Sequence, residues 1–298
     1  MRTEALLPEG TANSLGSGGL SMFKGVSTPP SFSLIQKGNV CLLIKNEYKD
    51  LLLGQGIEDI EGFLKKKKAV SRYLLGRTPH PCVPIREGEW MVVRRYSHGG
   101  LLRGITGDLY LFGSRSFRET ALTEEIRAAG MPTVELVGAV HHRVLPFFYR
   151  AYLLSLEIPS TRDLTQYFQE VGHHPSGETL RAKRNVIRSA GLLLRQFHRA
   201  GFFHADLQLK NFLVTGDKVF LIDFDRSYRK EILSNREMVK NLLRLNRSAE
   251  KWIRRGLGIT KTDRLRFLLA YAGDDSGIRE VVRRAIRSLV IRTLLRSL

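Results

Sequence analysis

The stretch His204-Ala205-Asp206-Leu207-Gln208-Leu209-Lys210-Asn211, followed twelve residues after Asn211 by Asp223-Phe224-Asp225, decides the reading of this chain. It sets a carboxylate, an amide and a second carboxylate in two loops. Between them, Phe212-Leu213-Val214 and Val219-Phe220-Leu221-Ile222 read as short strands around the turn Thr215-Gly216-Asp217-Lys218. Upstream, Glu178 to Ala200 carries Leu180, Ile187, Leu192, Leu193, Leu194 and Phe197 before Gly201, the pattern of a long amphipathic helix. A helix therefore feeds the first loop and a hairpin delivers the second. Taken singly, Asp and Asn are common turn residues, and a lone histidine is as much at home in a core as in a site.

The spacing fits His-x-Asp-Leu-x-x-x-Asn and an Asp-Phe-x metal loop, the pattern of phosphoryl-transfer enzymes. From average composition, the first motif arises by chance in a chain of this length on the order of once in a thousand. Phosphoryl transfer asks a protein mainly for positioning and charge neutralisation. One carboxylate must orient the attacking hydroxyl and accept its proton, which assigns Asp206 as the catalytic residue. A second must hold a cation that bridges nucleotide phosphates, and a neutral amide oxygen completes that shell without further negative charge. Asp223 and Asn211 are placed for those two tasks, as metal and cofactor ligands.

Working outward, the 298 residues contain 48 Lys plus Arg against 29 Asp plus Glu, a net charge of +19, with 43% hydrophobic content. These values suit a globular protein of one large domain or two small ones. No apolar run approaches the roughly 18 to 20 residues that cross a bilayer, and the first residues form no apolar signal segment, so neither an integral membrane protein nor a secreted one is expected. Cys41 and Cys82 are too few for a disulfide scaffold and have no metal-like spacing, which suits structural thiols in a reduced compartment. The charge implies a polyanionic partner: nucleic acid, an acidic membrane face or a phosphate-rich substrate.

Residues 1–33 are rich in Gly, Ser, Thr and Pro without a sustained period and read as a flexible leader. Val40 to Ile44 and Trp90 to Tyr96 read as strands, and Lys65 to Lys68 as a solvated helix face or an anion contact. Ser116 to Ala129 reads as a helix ended by Gly130, followed by extended segments over Thr133 to Val140 and Phe147 to Ile158. Beyond Pro159 the pattern turns helical. The expectation is an α+β chain of two lobes: residues 34–157 with an antiparallel sheet plus one helix, and 158–276 mainly helical. Residues 277–298 form a further segment, with Ile278, Val281, Val282, Ala285, Ile286 and Leu289 spaced along a helix rich in arginine.

The chain resembles the protein-kinase-like superfamily and, more closely, the bacterial lipopolysaccharide core sugar kinases that phosphorylate Kdo (3-deoxy-D-manno-octulosonic acid) or heptose. Beyond the two loops, the resemblance is carried by Val93-Arg94-Arg95-Tyr96-Ser97-His98-Gly99-Gly100-Leu101, Asp108-Leu109-Tyr110-Leu111-Phe112, Arg118-Glu119, Gly130-Met131-Pro132, Tyr149-Arg150-Ala151, Ile158-Pro159 and Ile222-Asp223-Phe224-Asp225-Arg226, and it spans about Lys37 to Tyr271. It implies a two-lobed kinase fold, ATP and Mg2+ as cofactors, and a lipid A-linked lipopolysaccharide core acceptor reached from the cytoplasmic face of the inner membrane. It places Arg94 where kinases carry the strand lysine that grips nucleotide phosphates, with Arg95 the alternative, and Glu119 as its helix partner. Gly76-Arg77-Thr78 is either what remains of a phosphate-covering turn, with Gly76 against the cofactor, or a plain loop.

Three departures point away from a protein substrate. The loop reads His-Ala-Asp where protein kinases have His-Arg-Asp, Asp225 replaces the final glycine of the metal loop, and no Ala-Pro-Glu follows. These omissions favour a hydroxyl on a glycan or small molecule. The basic C-terminal helix is expected either to lie on an anionic membrane surface or to pack on the helical lobe. The competing functions are another kinase-like phosphotransferase, acting on a protein or an aminoglycoside, and a nonenzymatic RNA-binding module or pseudokinase. With no groove of arginines and aromatics in the sequence, nucleic acid is not expected as a partner.

Overall fold

Strand alternation builds the first lobe. In the computed structural model, which describes residues 28–74, 79–97, 107–111 and 113–294, an antiparallel sheet runs in the order β1-β2-β7-β8-β5-β4-β3, with β6 paired to β8. Its strands are β1 (Phe32–Lys37), β2 (Val40–Lys45), β3 (Arg72–Leu74), β4 (His80–Arg86), β5 (Glu89–Arg95), β6 (Tyr110–Leu111), β7 (Leu136–Arg143) and β8 (Phe148–Leu156). The β2 strand is buried along nearly its whole length because both faces of the sheet are covered. Val40, Leu42 and Ile44 join a cluster with Tyr48, Leu52, Ile60 and Phe63, which belong to α1 (Lys49–Gly54), α2 (Ile60–Lys67) and the turn before them. Cys41 and Leu43 point the other way, into a cluster with Phe117 of α3 (Arg115–Ala128).

Two features differ from the sequence reading. The α1 and α2 helices add a layer opposite α3, and the lysine run ends the second of them, with Lys67 Nζ donating to the Pro84 carbonyl at 2.8 Å. The β1 strand starts at Phe32, inside the segment read as a leader, because Phe32 is buried and its N–H donates to Pro29 O at 2.9 Å. Residues 1–27 lie outside the described residues.

The second lobe is helical: α4 (Leu164–Val171), α5 (Gly177–Arg199), α6 (Asn235–Ile253), α7 (Lys261–Ala272) and α8 (Ser276–Leu294). Short strands punctuate it: β9 (Arg162–Asp163), β10 (Phe202–Phe203), β11 (Phe212–Thr215), β12 (Lys218–Leu221) and β13 (Tyr228–Arg229), with β12-β11-β9 one sheet and β10-β13 another. Capping boxes open α4 at Asp163, α6 at Ser234 and α7 at Thr260. Leu122, Ile126 and Met131, on and just after α3, pack into the core cluster of this lobe, so the helix bearing Glu119 is anchored on both sides of the cleft. Inside the lobe, Lys183 Nζ donates to Asp263 Oδ2 and to the Gly258 carbonyl, each at 2.8 Å, and neither side chain of the ion pair is exposed.

The described turns of α8 pack on the helical lobe. Ile278, Val281 and Ala285 are buried in the lobe's core, while Arg279, Arg283, Arg284 and Arg287 face solvent. Over those turns Ile278, Val281 and Ala285 are core, while Ile286 at 43% exposure lies outward with the arginines. Among the described residues no helix is long and apolar enough to cross a membrane.

Candidate active site

The site forms where β5, α3, the 204–211 loop and the loop after β12 converge. His204 organises the two loops. Its Nδ1 accepts from the Asp206 N–H at 3.1 Å and its Nε2–H donates to the Ile222 carbonyl at 3.0 Å, so one fully buried ring spans the backbones that present Asp206 and Asp223. Burial holds this histidine below its ordinary range, as a neutral ring with one donor and one acceptor requires. Phe224, also buried, packs between them, 5.5 Å from the His204 ring and 5.8 Å from Phe197 of α5.

Asp223 adopts φ 67°, the left-handed region that a non-glycine residue enters only when its surroundings demand it. Its Oδ1 accepts from Arg94 Nη1 at 2.5 Å. The other terminal nitrogen, Nη2, donates to Glu119 Oε2 at 2.5 Å and to the Tyr96 hydroxyl at 3.1 Å, and that hydroxyl in turn donates to Glu119. Burial works to raise the Asp223 carboxyl, and the Arg94 charge overrides it and holds the group below the usual range. For Glu119 the balance is reversed: burial lifts its carboxyl to about 7 against the pull of Arg94.

Alternation along β5 separates the two arginines left open by the sequence. Arg94 faces the cleft, and Arg95 faces away, to Asp108 and Glu61. Glu119 does not reach the cofactor side itself; at 3% exposure it lies behind Arg94 and acts through it. Gly76 falls between β3 and β4 and lies outside the described residues.

Asp206 has both carboxylate oxygens engaged. Oδ1 accepts from Arg244 Nε at 3.0 Å and Nη2 at 2.5 Å, and Oδ2 accepts from Gln208 Nε2 at 2.6 Å. Asn211 Nδ2 donates to the Asp206 carbonyl at 2.8 Å, which turns the amide so that Oδ1 accepts no hydrogen bond within the described residues. Among those residues no three His, Cys, Asp or Glu side chains gather as a metal site. The donor set facing the cleft is therefore one carboxylate and one free amide oxygen, a hard-oxygen pair that fits Mg2+ held jointly with nucleotide phosphates.

Four supporting residues escaped the sequence reading. Arg115, four residues before Glu119 on α3, clasps Asp225 through Nε at 3.0 Å and through Nη2, and its guanidinium lies 4.8 Å from the Tyr110 ring. Its helical spacing from Glu119 was the available signal. One face of α6 lines the catalytic loop with Asn241, Arg244 and Ser248, Ser248 Oγ accepting from Leu209 N–H at 3.2 Å. Positions i, i+3 and i+7 share a face, but nothing local ties them to a loop some forty residues earlier.

Comparison with known proteins identifies a family for the chain. Residues 64–271 match the family described as "Lipopolysaccharide kinase (Kdo/WaaP) family". The chain is similar to the 3-deoxy-D-manno-octulosonic acid kinase of Pasteurella multocida, 34% identical over 171 residues that span 55% of this chain and 67% of that protein. It is similarly related to the 3-deoxy-D-manno-octulosonic acid kinase of Vibrio cholerae, 34% identical over 173 residues, 55% of this chain and 68% of that one. Among solved structures, "WaaP in complex with acyl carrier protein" superposes with a TM-score of 0.52 at 21% identity, covering 83% of this chain and 98% of that chain, which shows a shared kinase-like fold. With the matched region covering both loops, β5, α3 and the arginine between them, this chain belongs to the lipopolysaccharide kinase (Kdo/WaaP) family and is a phosphotransferase.

Proposed function

We propose that this chain transfers the terminal phosphoryl group of ATP to a hydroxyl of Kdo or heptose in the inner core of lipid A-linked lipopolysaccharide, at the cytoplasmic face of the inner membrane. The observation that carries the reading is His204, whose two ring nitrogens fix the Asp206 N–H and the Ile222 carbonyl, just before Asp223, around one cleft. The named activity of the two relatives supports a sugar acid as acceptor.

In this reading Asp206 orients the acceptor hydroxyl and takes its proton on a carboxylate oxygen. Arg94 stays charged across the working pH range and, drawn from Asp223, is positioned to meet nucleotide phosphates with its planar fork. Asn211 Oδ1 and the Asp223 carboxylate would hold Mg2+, whose charge offsets that of the phosphates when bound. The exposed arginines of α8 and the net charge of +19 support attraction to an anionic membrane surface by charge, with Ile278, Val281 and Ala285 already engaged in the core.

The test is phosphate incorporation from labelled ATP into purified lipopolysaccharide core acceptors, with the product located by mass spectrometry. Gain of one phosphoryl group on a Kdo or heptose residue, absent with Asp206→Asn, is the expected result. Transfer to proteins or aminoglycosides, and none to core acceptors, would overturn it.

A further inference from the structure

Arg244 is half-exposed at the mouth of the cleft, on the lobe opposite Arg94, and it spends Nε and Nη2 on a single oxygen of Asp206. Arginine and carboxylate ordinarily pair fork to fork, two nitrogens on two oxygens. Here the second oxygen is taken by Gln208, and Arg244 Nη1 has no partner among the described residues. Asp206 Oδ1 thus has both acceptor positions filled by Arg244, while Oδ2 has one of its two filled and the side chain stays 45% exposed. For Oδ1 to act as the base, Arg244 has to be given another anion.

We propose that Arg244 recognises the carboxylate of an acidic sugar acceptor, and that this carboxylate replaces Asp206 Oδ1 as its partner, freeing that oxygen to take the proton of the acceptor hydroxyl. The inference rests on the core-sugar reading above and narrows it to Kdo, which carries the carboxylate that heptose lacks. Placement supports the assignment. Arg94 already faces the phosphate side from β5, whereas Arg244 rises from the face of α6 that lines the catalytic loop, beside Asn241 and Ser248. Binding and activation are then one event. An acceptor without the anion leaves Arg244 on Asp206 and is a poor substrate even when its hydroxyl is correctly placed.

The experiment compares a Kdo-bearing core acceptor with the same acceptor converted to its methyl ester, for wild type, Arg244→Gln and Arg244→Lys, with kcat and KM for acceptor and for ATP. Wild type should prefer the acid by about 10- to 100-fold in kcat/KM, the range set by a charged hydrogen-bonded pair. Arg244→Gln should collapse that preference to near unity by raising the KM for the acid, with the KM for ATP unmoved, and Arg244→Lys should restore part of it. Equal use of acid and ester by wild type, an equal fall on both acceptors in Arg244→Gln, or a change confined to the KM for ATP each overturns the role of Arg244 while core-sugar phosphorylation stands. Transfer to no core acceptor overturns the parent reading, and this one with it. Matching thermal midpoints for the three proteins separate these outcomes from misfolding.

Discussion

Asn241 clasps the backbone of His204 from both sides: its Oδ1 accepts from the His204 N–H at 3.1 Å and its Nδ2 donates to the His204 carbonyl at 2.8 Å. The same Oδ1 accepts from His198 Nε2–H at 3.0 Å, and the Tyr271 hydroxyl donates to His198 Nδ1 at 2.7 Å. The catalytic loop is thus tied through fully buried polar groups to α5, α6 and α7 at once. Replacing Asn241 with Leu keeps much of the volume and strands the buried donor and acceptor of His204. The expected loss is about 1–3 kcal/mol of stability for those groups, measured by urea unfolding, together with a fall in kcat as the loop loosens.

Asp206→Asn and Asp223→Asn are expected to leave a folded protein and to reduce phosphoryl transfer by about 100- to 10,000-fold. Single-turnover kinetics separate the two. Asp206→Asn should retain nucleotide affinity, and Asp223→Asn should lose the dependence of that affinity on added Mg2+.

Arg94→Ala leaves Glu119 as a buried carboxyl held by the Tyr96 hydroxyl without its charged partner, which is expected to cost about 3 kcal/mol, read from chemical denaturation at neutral pH. Arg94→Lys should recover most of that stability through the Glu119 pair and less of the activity, because one ammonium does not reproduce two separate guanidinium donations to Glu119 and Asp223.

Burial pushes both His198 and His141 down to about 4. Unfolded histidines take up protons as pH falls through about 6.5, while these two folded ones resist until about 4. The unfolded state therefore binds more protons in between, so stability is fully present above the upper value and declines as pH falls toward the lower one. Each ring contributes on the order of 3 kcal/mol across that window. Thermal midpoints measured from pH 7.5 to 4 should fall, and less steeply for His198→Gln.

The Lys183 to Asp263 pair joins α5 to α7 with both side chains out of solvent. Lys183→Ala is expected to destabilise by about 3–5 kcal/mol because it abandons a buried carboxylate, while the double change Lys183→Met with Asp263→Leu should be far milder. A double-mutant cycle in urea checks the difference.

The elements legible in the sequence were those with a local period or a motif. The 204–211 loop, the hairpin after it and the helices at 115–128 and 177–199 follow from spacing, and the His204 ring joins the backbone at Asp206 to that at Ile222, next to Asp223, while Asn211 donates to the Asp206 carbonyl. What was not legible is tertiary. Arg244, Asn241 and Arg115 act through partners roughly forty or more residues away in the chain. The choice between Arg94 and Arg95 needed the strand register, Arg94 against Leu153 and Arg95 against Tyr152. The α1 helix hides because it is only six residues long, whereas the lysine run read as a solvated helix face does fall on the last turn of α2. Asp225 was visible only as a departure from glycine, since its meaning lies in Arg115.

In enzymes that switch by covalent marking, an arginine waits for an added phosphate to draw a mobile segment into place. Here the anion is encoded: Asp225 already holds Arg115, and the chain from Arg226 to Ser234 pairs through β13 with β10 before it enters α6. In this arrangement the anion that Arg115 grips belongs to the chain itself, so the contact forms without an added phosphate.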